Sequence, residues 1–479
     1  MKRLWWSVHE ADSPELVAGP TLEARFAAGH RVGDAAQAFI PGGKLIEPSM
    51  GLKAAVSATA EAIETGAPRI YEASFLYEGI FVAVDILERM ETGWCLIEVK
   101  STGSVKPTHV QDSAIQRWVL EGLGHAVVRT EVMHLNTQGE GATPESLFIR
   151  KDTTTATGNL LSSIPLSVVK FRTVLEGELP EVEAGKHCRQ PYVCEFFARC
   201  NATPKRHGLH ELYRVKAKVL QGLRREGITE IAAIPTDTPL PAIARRQCQS
   251  IREGRMVVEP GLAVHLETIQ LPAVFIDFEA INPALPPWDT TRPFSTIPVQ
   301  VSMHSVDESG LTTHTEWLGA AGVDPRTELA RVVLHGIEHA ATLVAYHASF
   351  EKRVIRQLAE LLPAEEGRRM LVATERFVDL LPLVRNHVYH PEFLGKFSLK
   401  SVIRALLPSL HYGDLEVQSG DVASVQLQHL IVHAQPEPGP ARVQRRKDLL
   451  AYCERDTLVM VRLYQILCAH LKVRSILSN

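Results

Sequence analysis

Apolar and polar positions alternate with a strand's period over residues 71–75, 80–87 and 94–99, with Glu78-Gly79 and Glu91-Thr92-Gly93 between them. Short polar links containing glycine mark tight turns, so the pattern predicts a β-meander. Residues 22–66 read as helical, with a break at Gly29-His30-Arg31-Val32-Gly33. After the meander, Ala114, Ile115, Trp118 and Val119 recur at helical spacing within 111–121, an apolar strand covers 126–135, and a further helix covers 162–176. Residues 207–265 are helical in character and rich in charge, interrupted by a proline-rich stretch at 235–241. The alternation of strand and helix then resumes: strands at 273–278, 299–305 and 312–318, a helix at 326–340, a short buried strand at 342–346, a helix at 351–362 and a last helix at 447–472 with one apolar face.

The 479 residues suggest two to four domains at roughly 100–200 residues each, and no internal repeat makes the halves duplicates. No apolar run reaches the ~18 residues of a membrane span, and the start, Met1-Lys2-Arg3-Leu4-Trp5-Trp6, lacks the apolar stretch of a signal peptide. A cytoplasmic protein with no membrane partner is expected. The net charge of −4 gives no global cationic field for nucleic acid. Local basic runs, Lys205-Arg206, Arg224-Arg225, Arg245-Arg246 with Arg252 and Arg255, and Arg442 with Arg445-Arg446-Lys447, remain available for phosphate contacts.

Two acidic motifs carry the chemistry. Asp85 and Glu98 lie thirteen positions apart on successive predicted strands, with Lys100 on the same face as Glu98. Two such carboxylates can hold a magnesium or manganese ion, and the lysine can orient water or offset developing charge. Further on, Asp277 and Glu279 share one face at the end of a buried strand, Glu351 follows a short apolar strand, and Tyr452 and Asp456 stand four apart on the last helix. Cys188, Cys194 and Cys200 cluster in one short stretch; in a reducing compartment such clustering suggests ligation more than disulfides. Cys95, Cys248, Cys453 and Cys468 read as small buried apolar residues.

The pieces Phe26-Ala27-Ala28-Gly29-His30-Arg31-Val32-Gly33, Ala83-Val84-Asp85-Ile86-Leu87, Leu96-Ile97-Glu98-Val99-Lys100 and Asp112-Ser113-Ala114-Ile115-Gln116 together resemble the PD-(D/E)XK superfamily, in its RecB-like and CRISPR-associated nuclease branch. The resemblance implies Asp85 and Glu98 as metal ligands, Lys100 as catalytic lysine, Gln116 as the accompanying helix glutamine, and His30 as a further ligand. It also implies that Cys188, Cys194 and Cys200 are the C-terminal ligands of a 4Fe–4S cluster. The family's fourth cysteine precedes a segment similar to Lys2-Arg3-Leu4-Trp5-Trp6, where this chain has Met1. An upstream start, a non-cysteine ligand or solvent, and loss of the cluster all stay open, as does a zinc site using His187.

The second motif set resembles the DEDD exonucleases of the ribonuclease H-like fold, in the subclass ending in Tyr-x-x-x-Asp. By that resemblance Asp277, Glu279, Glu351 and Asp456 hold two metal ions, Mg2+ or Mn2+, and Tyr452 orients the attacking water. Glu351 departs from the usual aspartate. Asp379 matches an intermediate aspartate of the fold, or is a strand-end cap. The pairing itself is similar to bacterial proteins in which a RecB-like nuclease precedes a domain of unknown function with an Ile-Asp-Phe-Glu strand and Asn282-Pro283.

The expected fold class is therefore α/β: a PD-(D/E)XK restriction-endonuclease-like domain over 1–205, a helical connector over 206–267 and a ribonuclease H-like exonuclease domain over 268–479. The expected function is a metal-dependent nuclease with two sites acting on DNA ends, single-stranded DNA in preference to duplex and DNA in preference to RNA, in repair or defence, within reach of a protein partner. The alternative is a nucleic-acid-binding scaffold with one or both sites inactive.

Overall fold

The computed structural model describes residues 1–139, 144–201, 205–432 and 439–477. The chain is mixed α/β and divides into two compact units, Met1–Asn201 with Asn282–Ser295, and Ala202–Ile281 with Thr296–Asn479. The residues expected as a connector thus pack within the second unit. Among the described residues no helix is long and apolar enough to cross a membrane.

The first unit holds a six-stranded sheet in the order β1 (Lys44–Leu45), β2 (Arg69–Tyr77), β3 (Ile80–Met90), β4 (Gly93–Lys100), β5 (Val127–Leu135) and β6 (Phe148–Asp152). The meander β2–β3–β4 is antiparallel, as its alternation predicts. Its first turn is a two-residue link, Glu78-Gly79, with both residues at positive φ, the backbone that matches the right-handed twist of flanking strands. β4 and β5 are parallel, so a crossover is required, and the helix Pro107–Gly122 supplies it. Ile70, Ala73, Val84, Leu87 and Leu96 form a core with that helix's Val119 and Leu120 and with Ala55 and Ala62 of the helix Leu52–Glu64. On the other face Ile86, Ile97 and Met133 pack with Val32 and Ala36 of the helix Pro20–Phe39, and Ala284 joins them.

The second unit contains a two-stranded sheet of β7 (Val257–Val258) and β13 (Val388–Tyr389), and a five-stranded sheet. The larger sheet runs β10 (Thr312–Leu318), β9 (Ile297–Val306), β8 (Ala273–Ile281), β11 (Thr342–Ala345) and β12 (Phe377–Asp379), with β10 and β9 antiparallel to their neighbours and the rest parallel. Period-two alternation sorts β8 into two faces. Val274, Ile276 and Phe278 join a core with the helices Arg326–Ile337, Ser349–Ala359 and Ala364–Ala373. The alternate residues, Phe275, Asp277 and Glu279, lie on the face covered by the last helix, Gly439–Leu477, where Phe275 meets Tyr464 at 5.9 Å.

Candidate functional site

In the first unit the meander's register sets the acids side by side. Pairing of Ile86 with Ile97, and of Tyr71 and Ala73 with Ile86 and Val84, brings Asp85 opposite Glu98 on one side and Glu72 on the other. Glu72, Asp85 and Glu98 are thus a transverse row across three strands. Like charges opposed in a sheet are unfavourable, and Glu72 adopts φ 57°, a left-handed backbone rare for a residue with a side chain. Sequence reasoning missed Glu72, although the interval from 72 to 85 repeats that from 85 to 98.

This row is compensated from within. The Lys100 ammonium sits 2.5 Å from one Glu98 oxygen and 2.7 Å from Asp112. Gln116 donates to the other Glu98 oxygen at 2.7 Å, and the Val99 N–H donates to Asp85 at 2.6 Å. Burial, opposed by these contacts, still pushes Asp85 up to about 7 and Glu98 up to about 8, with each repelled by a neighbouring carboxylate. Burial and the charges of Glu98 and Asp34 raise Glu72 as well. A cleft of about 600 Å3 opens on the row and is lined by His30, Asp34, Glu47, Glu72, Asp85, Glu98 and Lys100 among others. His30 therefore reaches the site's wall, and the charged side chains of the lining are mostly acidic.

In the second unit Asp277, Glu279 and Asp456 each bring a carboxylate oxygen within 4.8 Å of the others. β8 supplies the first two and the last helix the third. Glu351, which a strand end was expected to deliver, sits in the first turn of the helix Ser349–Ala359; it is buried, its charge raises Asp277, and its Oε2 has no hydrogen-bond partner. The turn before that helix is pinned by Asp379, which accepts from the N–H groups of His347 (2.8 Å), Ala348 (3.1 Å) and Leu381 (2.9 Å). Asp379 thus holds His347 at φ 73° and caps the helix Leu380–His387, which assigns it the capping role.

Burial is the main force on every acid here. It pushes Glu279 up to about 8, aided by Asp456 and opposed by Lys400, and Glu351 up to about 7. Asp456 rises to about 6, restrained by hydrogen bonds from Tyr412 and Tyr452 and by Lys400; Asp277 rises well above the carboxylate range. The compensation is slight. Lys400 Nζ bonds the Tyr452 hydroxyl at 2.9 Å and the Gln418 carbonyl at 2.7 Å and lies over the rings of Tyr412 and Tyr452. Tyr412 donates to Asp456, and the Cys453 thiol lies 3.5 Å from Asp277 Oδ2. Cys453 is buried as expected, yet its sulfur faces the site. Sequence reasoning named neither Lys400 nor Tyr412 and gave Cys453 no place beside the acids; the i, i+1 adjacency of Cys453 to Tyr452 was the available signal.

A cleft of about 640 Å3 opens on this cluster, with Asp277 and Asp456 in its lining beside Arg214, Arg385, Lys396 and Lys400. Gly395 is required in its wall: φ is 72° and a Cβ would meet the Glu211 carbonyl oxygen at 2.1 Å. The cations of this rim are not the runs read from the sequence. Arg246, from one such run, is buried and bound to Glu259 and to the Arg385 and Asn386 carbonyls. Hard, crowded carboxylate oxygens with an orphaned buried Glu351 oxygen are the donor set that magnesium or manganese takes.

Cys188, Cys194 and Cys200 are free thiols in a loop-rich segment, where the Cys194 N–H donates to the Cys188 carbonyl and the Gly185 N–H lies 3.5 Å from the Cys188 sulfur. The N-terminal helix Lys2–His9 packs there through Trp6 on Phe196, ring centroids 5.0 Å apart, and Arg3 on Glu195 at 2.8 Å. Among the described residues, the cysteines do not form a set with ligand atoms within 4.8 Å of one another.

A family model described as a domain of unknown function (DUF2779) matches residues 274–398, which include Asp277, Glu279 and Glu351 and stop before Tyr452 and Asp456. No curated protein and no solved structure matches the chain.

Proposed function

We propose that this protein is a metal-dependent phosphodiester hydrolase that removes nucleotides from nucleic-acid ends, with the second unit as a ribonuclease H-like exonuclease and the first as a PD-(D/E)XK nuclease. The observation that carries the reading is the convergence of Asp277, Glu279 and Asp456 within 4.8 Å beside a cleft whose lining includes Arg214, Arg385, Lys396 and Lys400. Carboxylates in the cleft and cations around it suit a phosphodiester once a divalent ion bridges acid and phosphate, since the acids alone repel it, while the guanidinium and ammonium groups hold the backbone.

Asp277, Glu279, Asp456 and Glu351 would hold Mg2+ or Mn2+, which when bound polarises the phosphate and lowers the pKa of water. Tyr452 is held by Lys400, so its hydroxyl is oriented before substrate arrives. Lys400, in the cleft wall, is placed to meet a phosphate oxygen. In the first unit Asp85, Glu98 and Glu72 would hold the ion, with Lys100 and Gln116 fixing the Glu98 carboxylate. For Cys188, Cys194 and Cys200 the proposed partner is an iron–sulfur cluster, tested by iron and sulfide content after anaerobic purification. DNA ends in repair or defence remain the proposed substrate.

One observation favours a second reading, a scaffold that binds nucleic acid without cutting it: Asp277, Asp456 and both Glu98 oxygens are already contacted by thiol, phenol, ammonium or amide groups. A time course on 3′- and 5′-labelled single-stranded DNA with Mn2+, beside Glu98→Ala and Asp277→Ala, separates the two. The nuclease reading expects each variant to lose a distinct product ladder; no metal-dependent product from the unmodified protein would leave the scaffold reading.

A further inference from the structure

A second convergence of ligating side chains lies in the second unit, outside the acid cluster. His304 of β9 and His314 of β10 are cross-strand partners, and with Glu454 of the last helix they bring one ligand atom each within 4.8 Å of one another. His304 is buried, His314 is partly exposed and Glu454 is about half-exposed, so the group opens to solvent on one side only.

The hydrogen bonds around the two imidazoles accommodate an arrangement of protons that leaves one nitrogen of each ring free. Thr457 Oγ1 donates to the Glu454 carbonyl at 3.0 Å, which uses its one proton. In that arrangement its oxygen accepts from its other two neighbours, His304 Nδ1 and the Ser302 hydroxyl, both at 2.7 Å. With the Ser302 proton spent on Thr457, the Ser302 oxygen accepts from His314 Nε2 at 2.9 Å. This arrangement puts protons on His304 Nδ1 and His314 Nε2 and leaves lone pairs on His304 Nε2 and His314 Nδ1; the latter is 3.8 Å from Glu454 Oε1. Hydroxyls that orient ligating imidazoles by their other nitrogen are the supporting arrangement of metal sites. Burial, with His314 and Arg462 nearby, holds His304 down at about 4, so its ring is neutral as a ligand must be.

We propose that His304 Nε2, His314 Nδ1 and Glu454 form a site for one zinc-class divalent transition ion, separate from the carboxylate cluster. Two imidazoles and one carboxylate suit such an ion, whereas magnesium prefers all-oxygen shells. At about 2.0–2.1 Å from each nitrogen, the ion draws the ligand atoms together and turns the rings out of their present stack at 4.4 Å. The placement allows it, since His314 lies on the sheet's edge strand and Glu454 is half in solvent. The ion would staple β9 and β10 to the helix that carries Tyr452 and Asp456, on a different side of that helix. The proposal does not depend on the acid cluster being catalytic.

The test is Co2+ titration of the full-length protein in millimolar Mg2+, which occupies all-oxygen sites. The expected result is about one Co2+ per chain with visible d–d absorption and no intense near-ultraviolet thiolate band. That absorption should be lost in His314→Asn and Glu454→Gln, whose side chains are accessible enough to change without emptying the core. Thr457→Val, which keeps shape but removes the orienting hydroxyl, should weaken binding by roughly 10–100-fold. Absorption that survives both His314→Asn and Glu454→Gln, a spectrum dominated by thiolate charge transfer, or no binding by the unmodified protein would overturn the proposal.

Discussion

The two acid sites differ in how their charge is balanced. In the first unit a lysine, a glutamine amide and a backbone N–H meet Glu98 and Asp85 directly, and the cleft around them is itself acidic. In the second, the converging carboxylates have a phenol, a thiol and a lysine that bonds Tyr452 in place of an acid, and the cleft walls carry four cationic side chains. In the first site a cation bonds an acid directly, whereas in the second Lys400 bonds Tyr452 and eases Glu279 and Asp456 only through space. Sites of similar residue type can therefore differ in how their acids are compensated.

The largest effect should come from the second site. Asp277→Ala or Asp456→Asn is expected to lower the release of 3′-terminal nucleotides by at least about 10²–10³-fold, the scale of deleting a preorganised electrostatic group, measured by single-turnover assays with Mn2+. Unchanged release would erase the contrast between the sites.

The comparison can also be broken deliberately. Lys100→Met removes the ammonium from buried Glu98, and the first unit should lose up to about 3 kcal/mol of stability, read by denaturant unfolding. Divalent ions should then add more stability to the altered first unit than to the unmodified one, because Glu98 no longer has an internal cation to offset it.

A smaller, graded effect is set by pH. Burial raises Glu279 from 4.5 to about 8, aided by the charge of Asp456, Glu351 from 4.5 to about 7, aided by Asp379, and Asp456 from 3.8 to about 6. The folded chain then binds more protons than the unfolded one across that window, so without divalent ions stability should fall as pH rises from about 4 to 8. Saturating Mn2+ should flatten the slope, since bound metal replaces those protons; melting curves at several pH values check it. The least effect is expected from Tyr412→Phe, which frees an Asp456 oxygen and should tighten Mn2+ binding a fewfold by calorimetry.

What was legible in the sequence followed local periodicity. The strands bearing Asp85, Glu98 and Asp277 are apolar runs with carboxylates at alternate positions, and they fold as such. The partners were hidden because they depend on register and on helix docking. Glu72 meets Asp85 only through strand pairing, His304 meets His314 only across a hairpin, and Tyr412 and Lys400 reach Asp456 and Tyr452 from segments 44 and 52 residues away. The helices Leu380–His387 and Leu399–Leu406 were not read, being only eight residues each, too short to show a repeating helical period. The assignment of 282–295 to the first unit rests on Ala284 entering a core formed by residues far earlier in the chain.

The most direct measurement is Mn2+ binding followed by electron paramagnetic resonance on the full-length protein, Asp277→Asn and Glu98→Gln. The account predicts that Asp277→Asn loses the tightest-bound Mn2+ while Glu98→Gln retains it. Equal Mn2+ binding by the unmodified protein and Asp277→Asn would contradict the claim that the second site's converging carboxylates are built to hold a metal ion.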